Sequence, residues 1–299
     1  MAIEKIHVAI LQHSYQGTRT ATLERTDYLL KQAKTQYPKL NLVVLPELHP
    51  YPYFCQHEDP QHFAWADFFT EDVAFFADLA KRYGVVLVSS LFEKRMEGVY
   101  HNTAVVFEKD GRILGKQRKM HIPDDPRFYE KFYFTPGDAT KGFEPIMSSV
   151  GNLGVLICWD QWYPEAARIM ALKKADVLIY PSAIGWFNDT SESIEEKQLQ
   201  KQAWQGVQKG HSISNVIPVI TSNRVGLEKD LYTEGLYFFG SSFIYGAFGQ
   251  ELASAGQEEA IIYACIDLKE SAKIRQMWPF FRDRRIDAYA DILKRVGDV

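Results

Sequence analysis

Disulfide and metal chemistry have little to work with in this chain. Its 299 residues carry three cysteines, Cys55, Cys158 and Cys265, and no CxxC pair. An odd, sparse set excludes a disulfide framework and fits a reducing compartment, so a cytoplasmic protein is expected. The eight histidines form no HxxxH or HExxH pattern. His49, Cys55, His57 and His62 gather in one Pro- and Tyr-rich stretch, but their spacing matches no common zinc arrangement. That stretch reads as a long polar loop, and no metal is expected. Basic blocks are missing too, and a net charge of −4 favours neither nucleic acid nor an anionic membrane surface. No apolar run approaches the roughly 18 residues that span a bilayer. MAIEKIHVAILQ places an acid and a base before a short apolar run with no cleavage site, which reads as a first strand rather than a signal peptide. No Gly/Ser- or Pro-rich linker interrupts residues 1–299, so a single domain is expected.

What the chain does have is alternation. Short apolar runs predict buried strands at 5–12, 41–48, 85–92, 102–108, 153–159, 176–183, 218–225, 241–246 and 260–268. Between them, helical periodicity predicts helices at 20–36, 70–84, 164–176 and 193–212. The helix at 164 opens on a proline, and the one at 193 ends near glycine. Strand and helix in turn imply an α/β fold. Three runs, LVVLPELHP, GVLICWDQW and VLIYPSAIG, leave an apolar strand for a polar or proline turn. Sites of α/β sheets are built at strand carboxyl ends, so Glu47, Cys158 and Ser182 could face one another.

Three residues stand out chemically. Cys158 closes an apolar run just before a proline-initiated helix, whose positive end would favour a thiolate nucleophile. A buried core thiol is the competing reading. Glu47, directly after LVVLP, is costly to bury unless paired, and reads as a general base or as a structural carboxylate. Lys119, in GKQRKMHIP, reads as an electrostatic donor or as one more cation on a solvated face.

Together these segments resemble a family. LPEL at 45–48, RKMHIP at 118–123 and ICWDQWYPEAAR at 157–168 are similar to the three signature segments of the nitrilase superfamily, the carbon–nitrogen hydrolases, in that family's order. YEKFYFTPGD, DVLIYPSAIG, the 204–226 run and FFGSSFIYGAFG extend the likeness over nearly the whole chain. The resemblance implies an αββα four-layer sandwich whose subunits pair, and chemistry without a cofactor. It implies Cys158 as nucleophile, Glu47 as general base and Lys119 as oxyanion stabiliser, with the Trp159 N–H as a second donor. Glu130 aligns with a second glutamate that would position Lys119 or the substrate amide.

Within the superfamily, CWDQWYPEAAR, EKFYF and the PSAIG segment look most like the N-carbamoylputrescine amidohydrolases of polyamine synthesis. Enzymes acting on N-carbamoyl amino acids tend to carry arginines shortly after the nucleophile, where Gln161 and Trp162 stand here. A small carbamoyl-amine substrate would need a carboxylate or aromatic face at its far end, for which Asp124, Asp125, Trp159, Trp162 and Trp186 are candidates. The alternatives are a β-ureidopropionase, with Arg127 or Arg224 holding a carboxylate, a simple aliphatic amidase or ω-amidase, and a catalytically silent binding module of the same fold. A papain-like hydrolase using His101, His121 or His211 would leave LPEL and RKMHIP unexplained. The tail at 277–299 mixes aromatics with charge, and similar tails in the family pack across a subunit boundary, so a homodimer or larger assembly is expected.

Overall fold

The computed structural model describes residues 4–189 and 191–297. Its strands in chain order are β1 (Lys5–Gln12), β2 (Leu42–Val44), β3 (Val86–Met96), β4 (Val99–Phe107) and β5 (Ile113–Arg118). There follow β6 (Ile146–Ser148), β7 (Gly151–Val155), β8 (Val177–Ser182), β9 (Gly185–Phe187) and β10 (Val219–Asn223). The last five are β11 (Val225–Glu228), β12 (Leu236–Phe239), β13 (Phe243–Tyr245), β14 (Glu251–Ser254) and β15 (Ala260–Asp267). The helices are α1 (Arg19–Gln36), α2 (Phe69–Tyr83), α3 (Glu130–Tyr133), α4 (Pro164–Leu172), α5 (Ile194–Asn215) and α6 (Leu268–Met277).

Two six-stranded sheets carry the molecule, in the orders β15-β1-β2-β3-β4-β5 and β14-β13-β10-β8-β7-β6. The side-chain alternation of β1 and β8 explains how they stack. Ile6, Val8 and Ile10 join Val177 and Ile179 in one apolar layer between the sheets. The intervening Ala9 and Leu11 face Leu23, Leu30, Phe76 and Leu79 of α1 and α2. On the other sheet, Leu178 and Tyr180 face Ala167 and Met170 of α4 and Trp204 of α5. Each Leu, Ile or Phe so buried contributes about 1.5–3 kcal/mol, and the layers follow as helix, sheet, sheet, helix. This is the αββα sandwich expected.

Local chemistry fixes the helix ends. Gly84 takes φ +61° after α2, and its N–H reaches the Ala80 and Lys81 carbonyls. At α5, Ser193 Oγ accepts from the Glu196 N–H while Glu196 accepts from the Ser193 N–H, a capping box. That helix runs through Gly206 and Gly210 to Asn215, three residues past the expected end. Trp204, Gln208 and His211, buried along one side, outweigh the glycine propensity cost of about 1 kcal/mol each. Four chain departures from strands then converge: β2 into Glu47, β5 into Lys119, β7 into Cys158 and β8 into Ala183.

Candidate active site

Glu47 follows β2 by three residues and is wholly buried. Leu48, at φ +48°, turns the chain sharply behind it. The Glu47 N–H donates across to the Ser182 carbonyl of the second sheet at 3.3 Å, and its own carbonyl accepts from Arg224 at 2.9 Å. Its Oε1 accepts from Asn102 Nδ2 at 2.7 Å and from Lys119 Nζ at 2.8 Å. Oε2 is buried and has no hydrogen-bond partner among the described residues. That leaves one carboxylate oxygen open as a hydrogen-bond acceptor in a buried position.

Lys119 leaves β5 and is also fully buried. Its ammonium lies between two carboxylates, 2.8 Å from Glu47 and 2.6 Å from Glu130. Burial works against its charge, but Glu130 and then Glu47 outweigh it, and its pKa stands well above the usual lysine value. An ammonium has three donors, and these two bonds leave one for a substrate oxygen. Glu130 opens α3; its other oxygen accepts from the Tyr53 hydroxyl at 2.7 Å. Its pKa is raised, first by burial and then by the Glu47 charge, against the pull of Lys119.

Cys158 opens a short 3-10 helix, Cys158–Trp162, at φ +39°, and its Sγ lies 3.9 Å from the Ala183 carbonyl. Here the expectation of a thiolate is corrected. Burial pushes the thiol pKa well above its usual value, the Glu47 charge adds to that, and Lys119 opposes both without prevailing. The resting group is a thiol. The proline-started helix α4 begins six residues later, too far for its positive end to matter. Asp160 holds the strained turn: it accepts from the Ile157 N–H at 3.0 Å and from the His121 N–H at 2.9 Å. Trp159 is second in the 3-10 helix, where leading N–H groups have no partner within the helix.

A cavity of about 390 Å³ opens over Cys158 and Glu130. Trp159, Trp162, Phe128 and Phe187 wall it, and Asp125 and Glu192 bring carboxylates to it. A larger groove of about 520 Å³ runs along β5 and β6, yet Glu47, Cys158 and Glu130 take no part in it. Two expected wall residues lie elsewhere. Asp124 is exposed and faces Lys131 at 3.9 Å. Trp186 alternates with Phe187 along β9, so it turns away from the cavity and packs on Phe239, with ring centroids 4.7 Å apart. Gln161 also points away: it accepts from Trp204 Nε1 at 2.8 Å under α5. Of the two arginine positions read in the sequence, only Trp162 therefore faces the cavity.

Arg224 is buried against Glu228 at 2.7 Å, and Arg127 pairs with Asp189 at 2.7 Å. His101, His121 and His211 bind the Thr135 carbonyl, Asp160 and the Gln161 carbonyl. Sequence reading missed Asn102, Tyr53, Asp160 and Glu192. Of these only Asp160, two residues past the cysteine, stood where the sequence invited attention.

The carbon–nitrogen hydrolase family model matches residues 7–276. A citrullinase of Francisella tularensis is 38% identical over 97% of this chain and 99% of its own length. An N-carbamoylputrescine amidase of Solanum tuberosum is 39% identical over 94% of this chain and 91% of its own. The crystal structure of a carbon–nitrogen hydrolase from Helicobacter pylori G27 superposes with a TM-score of 0.96 at 59% identity, covering 98% of this chain and all of that one.

Proposed function

The chain belongs to the carbon–nitrogen hydrolase family, the nitrilase superfamily, and from that premise we propose that it hydrolyses the ureido C–N bond of N-carbamoylputrescine. In this reading Cys158 attacks the ureido carbonyl while the free oxygen of Glu47 takes the thiol proton. An amide-like carbonyl is a poor electrophile, and a thiol with a high pKa becomes a strong nucleophile only as that proton leaves. The third Lys119 donor and the Trp159 N–H stabilise the oxyanion. Glu130 holds Lys119 in place. Collapse breaks the bond to the terminal nitrogen, and Glu47 passes the proton to the departing ammonia, leaving the putrescine arm on the thioester carbonyl. Water, activated by Glu47, then cleaves the carbamoyl thioester. The carbamate so formed loses carbon dioxide, and the products are putrescine, carbon dioxide and ammonia.

One observation carries the substrate preference. The cavity wall holds Asp125 and Glu192 and, among the described residues, no arginine, lysine or histidine. A carbamoyl acid would bring its carboxylate to a wall with no cation to receive it. Citrulline is N-carbamoylputrescine with one added carboxylate, so the substrates named by the two similar relatives differ by the group that this wall disfavours. The same argument weighs against N-carbamoyl-β-alanine and against an ω-amidase substrate. Glu192 is the distal anchor in this account. It accepts from the Phe187 N–H at 2.9 Å and Gln200 Nε2 at 2.6 Å, which fix its direction.

The test is ammonia release from N-carbamoylputrescine, citrulline and N-carbamoyl-β-alanine by wild type, Cys158→Ala and Glu192→Gln. The expected result is turnover of the carbamoyl-amine that vanishes in Cys158→Ala. Glu192→Gln should raise KM about 10-fold or more with kcat little changed, since a charged hydrogen bond contributes ~1.5–3 kcal/mol. Preference for either acid would overturn the substrate assignment.

A further inference from the structure

His57, Asp59 and His62 sit outside the chain of groups just described. The sequence spacing matches no familiar metal motif, yet one ligand atom from each of the three lies within 4.8 Å of the others. We propose that they form a binding site for one divalent transition cation of the zinc class, with Asp230 and Tyr133 orienting the two imidazoles.

The donor accounting supports this. Tyr133 gives its hydroxyl proton to the His57 carbonyl at 2.6 Å, so toward His62 Nδ1, 3.1 Å away, it acts as acceptor. That fixes the proton on Nδ1 and frees the Nε2 lone pair. His57 is more open. Its Nδ1 lies 3.4 Å from Asp230 Oδ2 without a hydrogen bond between them, and both of its ring nitrogens are buried with no hydrogen-bond partner among the described residues. Asp59 uses Oδ1 to cap the Gln61 N–H at 2.8 Å, which leaves Oδ2. Two imidazole nitrogens and one carboxylate oxygen remain, with His62 and Asp59 held from behind by hydrogen bonds and His57 facing the Asp230 carboxylate. This is the donor set of zinc-class sites, in which a carboxylate or hydroxyl behind each histidine sets its tautomer.

Tetrahedral donors at bonds near 2.1 Å stand roughly 3.4 Å apart, so the three groups must close by about 1 Å. They are half-buried, and rotation about their side-chain bonds supplies that movement. A cavity of about 380 Å³ reaches His57, His62 and Asp230 and gives an ion its way in. Cys55 and His49, their neighbours in sequence, do not join. Cys55 is fully buried, and His49 faces Thr26 at 3.3 Å. The same segment carries Tyr53, whose hydroxyl supports Glu130, so a bound ion would stiffen the backing of the candidate active site.

The test uses the full chain, stripped with a chelator and titrated with zinc against a chromophoric competitor. Because a free thiol such as that of Cys158 competes for zinc, Cys158→Ala is titrated alongside. The expected result is one zinc per chain in both, with a thermal midpoint that rises on zinc addition. His57→Gln and His62→Gln should each weaken binding by about 10-fold or more, and Asp230→Asn by a smaller but measurable factor. Should a histidine variant fail to fold, as judged by circular dichroism, Asp59→Asn makes the same test. Zinc binding that disappears in Cys158→Ala, or that is unchanged in His62→Gln and Asp59→Asn, would overturn the proposal. So would absence of binding at micromolar zinc.

Discussion

Cys158 has two environments to reconcile: a strained, nearly enclosed backbone position and a neighbouring carboxylate. Both keep it protonated at rest. A raised thiol pKa means that little thiolate exists near neutrality, and that its fraction grows only as pH climbs toward that pKa. Alkylation by iodoacetamide at pH 7.5 should therefore depend on Glu47. Glu47→Gln removes the charge that raises the thiol pKa, which speeds labelling, and also the proton acceptor, which slows it by about 10²-fold or more. The loss of the acceptor is the larger effect, so the rate should fall at pH 7.5 and recover as pH rises. Wild-type labelling that survives Glu47→Gln unchanged would remove Glu47 from its assigned role, and an unreactive wild-type Cys158 would favour a silent binding module. At this scale the sequence was informative wherever a costly residue closed an apolar run, as Glu47 and Cys158 do. It was silent on Tyr53, Asn102 and Glu192, whose meaning depends on partners far along the chain or on a cavity that no spacing rule describes. It also misdirected Trp186 and Gln161, because their facing depends on where a three-residue strand and a single 3-10 turn begin.

Among the elements, β3, β4 and β5 show how the Lys119 end of the site is held. Glu93 on β3 accepts from Thr103 on β4 at 2.7 Å, and from Arg118 at 2.8 Å and Lys116 at 3.1 Å on β5. Burial would raise its pKa, but Arg118, Thr103 and Lys116 together bring it down to about 2 from the usual 4.5. A depressed carboxyl pKa contributes stability that is complete above the unfolded value and is lost as pH falls from about 4.5 to about 2. Glu93→Gln should thus cost about 1–3 kcal/mol at neutral pH, with the gap to wild type closing across that acid window in denaturant titrations. A gap constant down to pH 2 would deny the clip its role. The long runs β1, β8 and β15 were legible from their apolar patterns. β5 was missed since most of its residues are charged, polar or glycine, and β6, β9, β12 and β14 are too short to show a period.

For the whole molecule, the unfinished surface is at the carboxyl end. Ile286, Ile292, Leu293 and Val296 are exposed, and the chain there forms two short 3-10 turns at 286–288 and 290–293. Residues 284–293 border a groove of about 620 Å³ against α4 and α5. Residues 298–299 of the expected interface tail lie outside the described ones. So many apolar side chains on one strap favour burial against a second copy. We expect a dimer or larger assembly in sedimentation at micromolar concentration, and a shift toward monomer when 284–299 is deleted. A monomeric intact chain would refute this.

The convergence of strand ends has a temporal side. Glu47 and Lys119 hang from the first sheet and Cys158 from the second, and the Glu47 N–H to Ser182 bond is among the ties between them. During synthesis Glu47 and Lys119 leave the ribosome before Cys158 does, so the proposed site spans parts of the chain made at different times. On the reading proposed above, the closure that completes folding is also what assembles base, ammonium and thiol into one site.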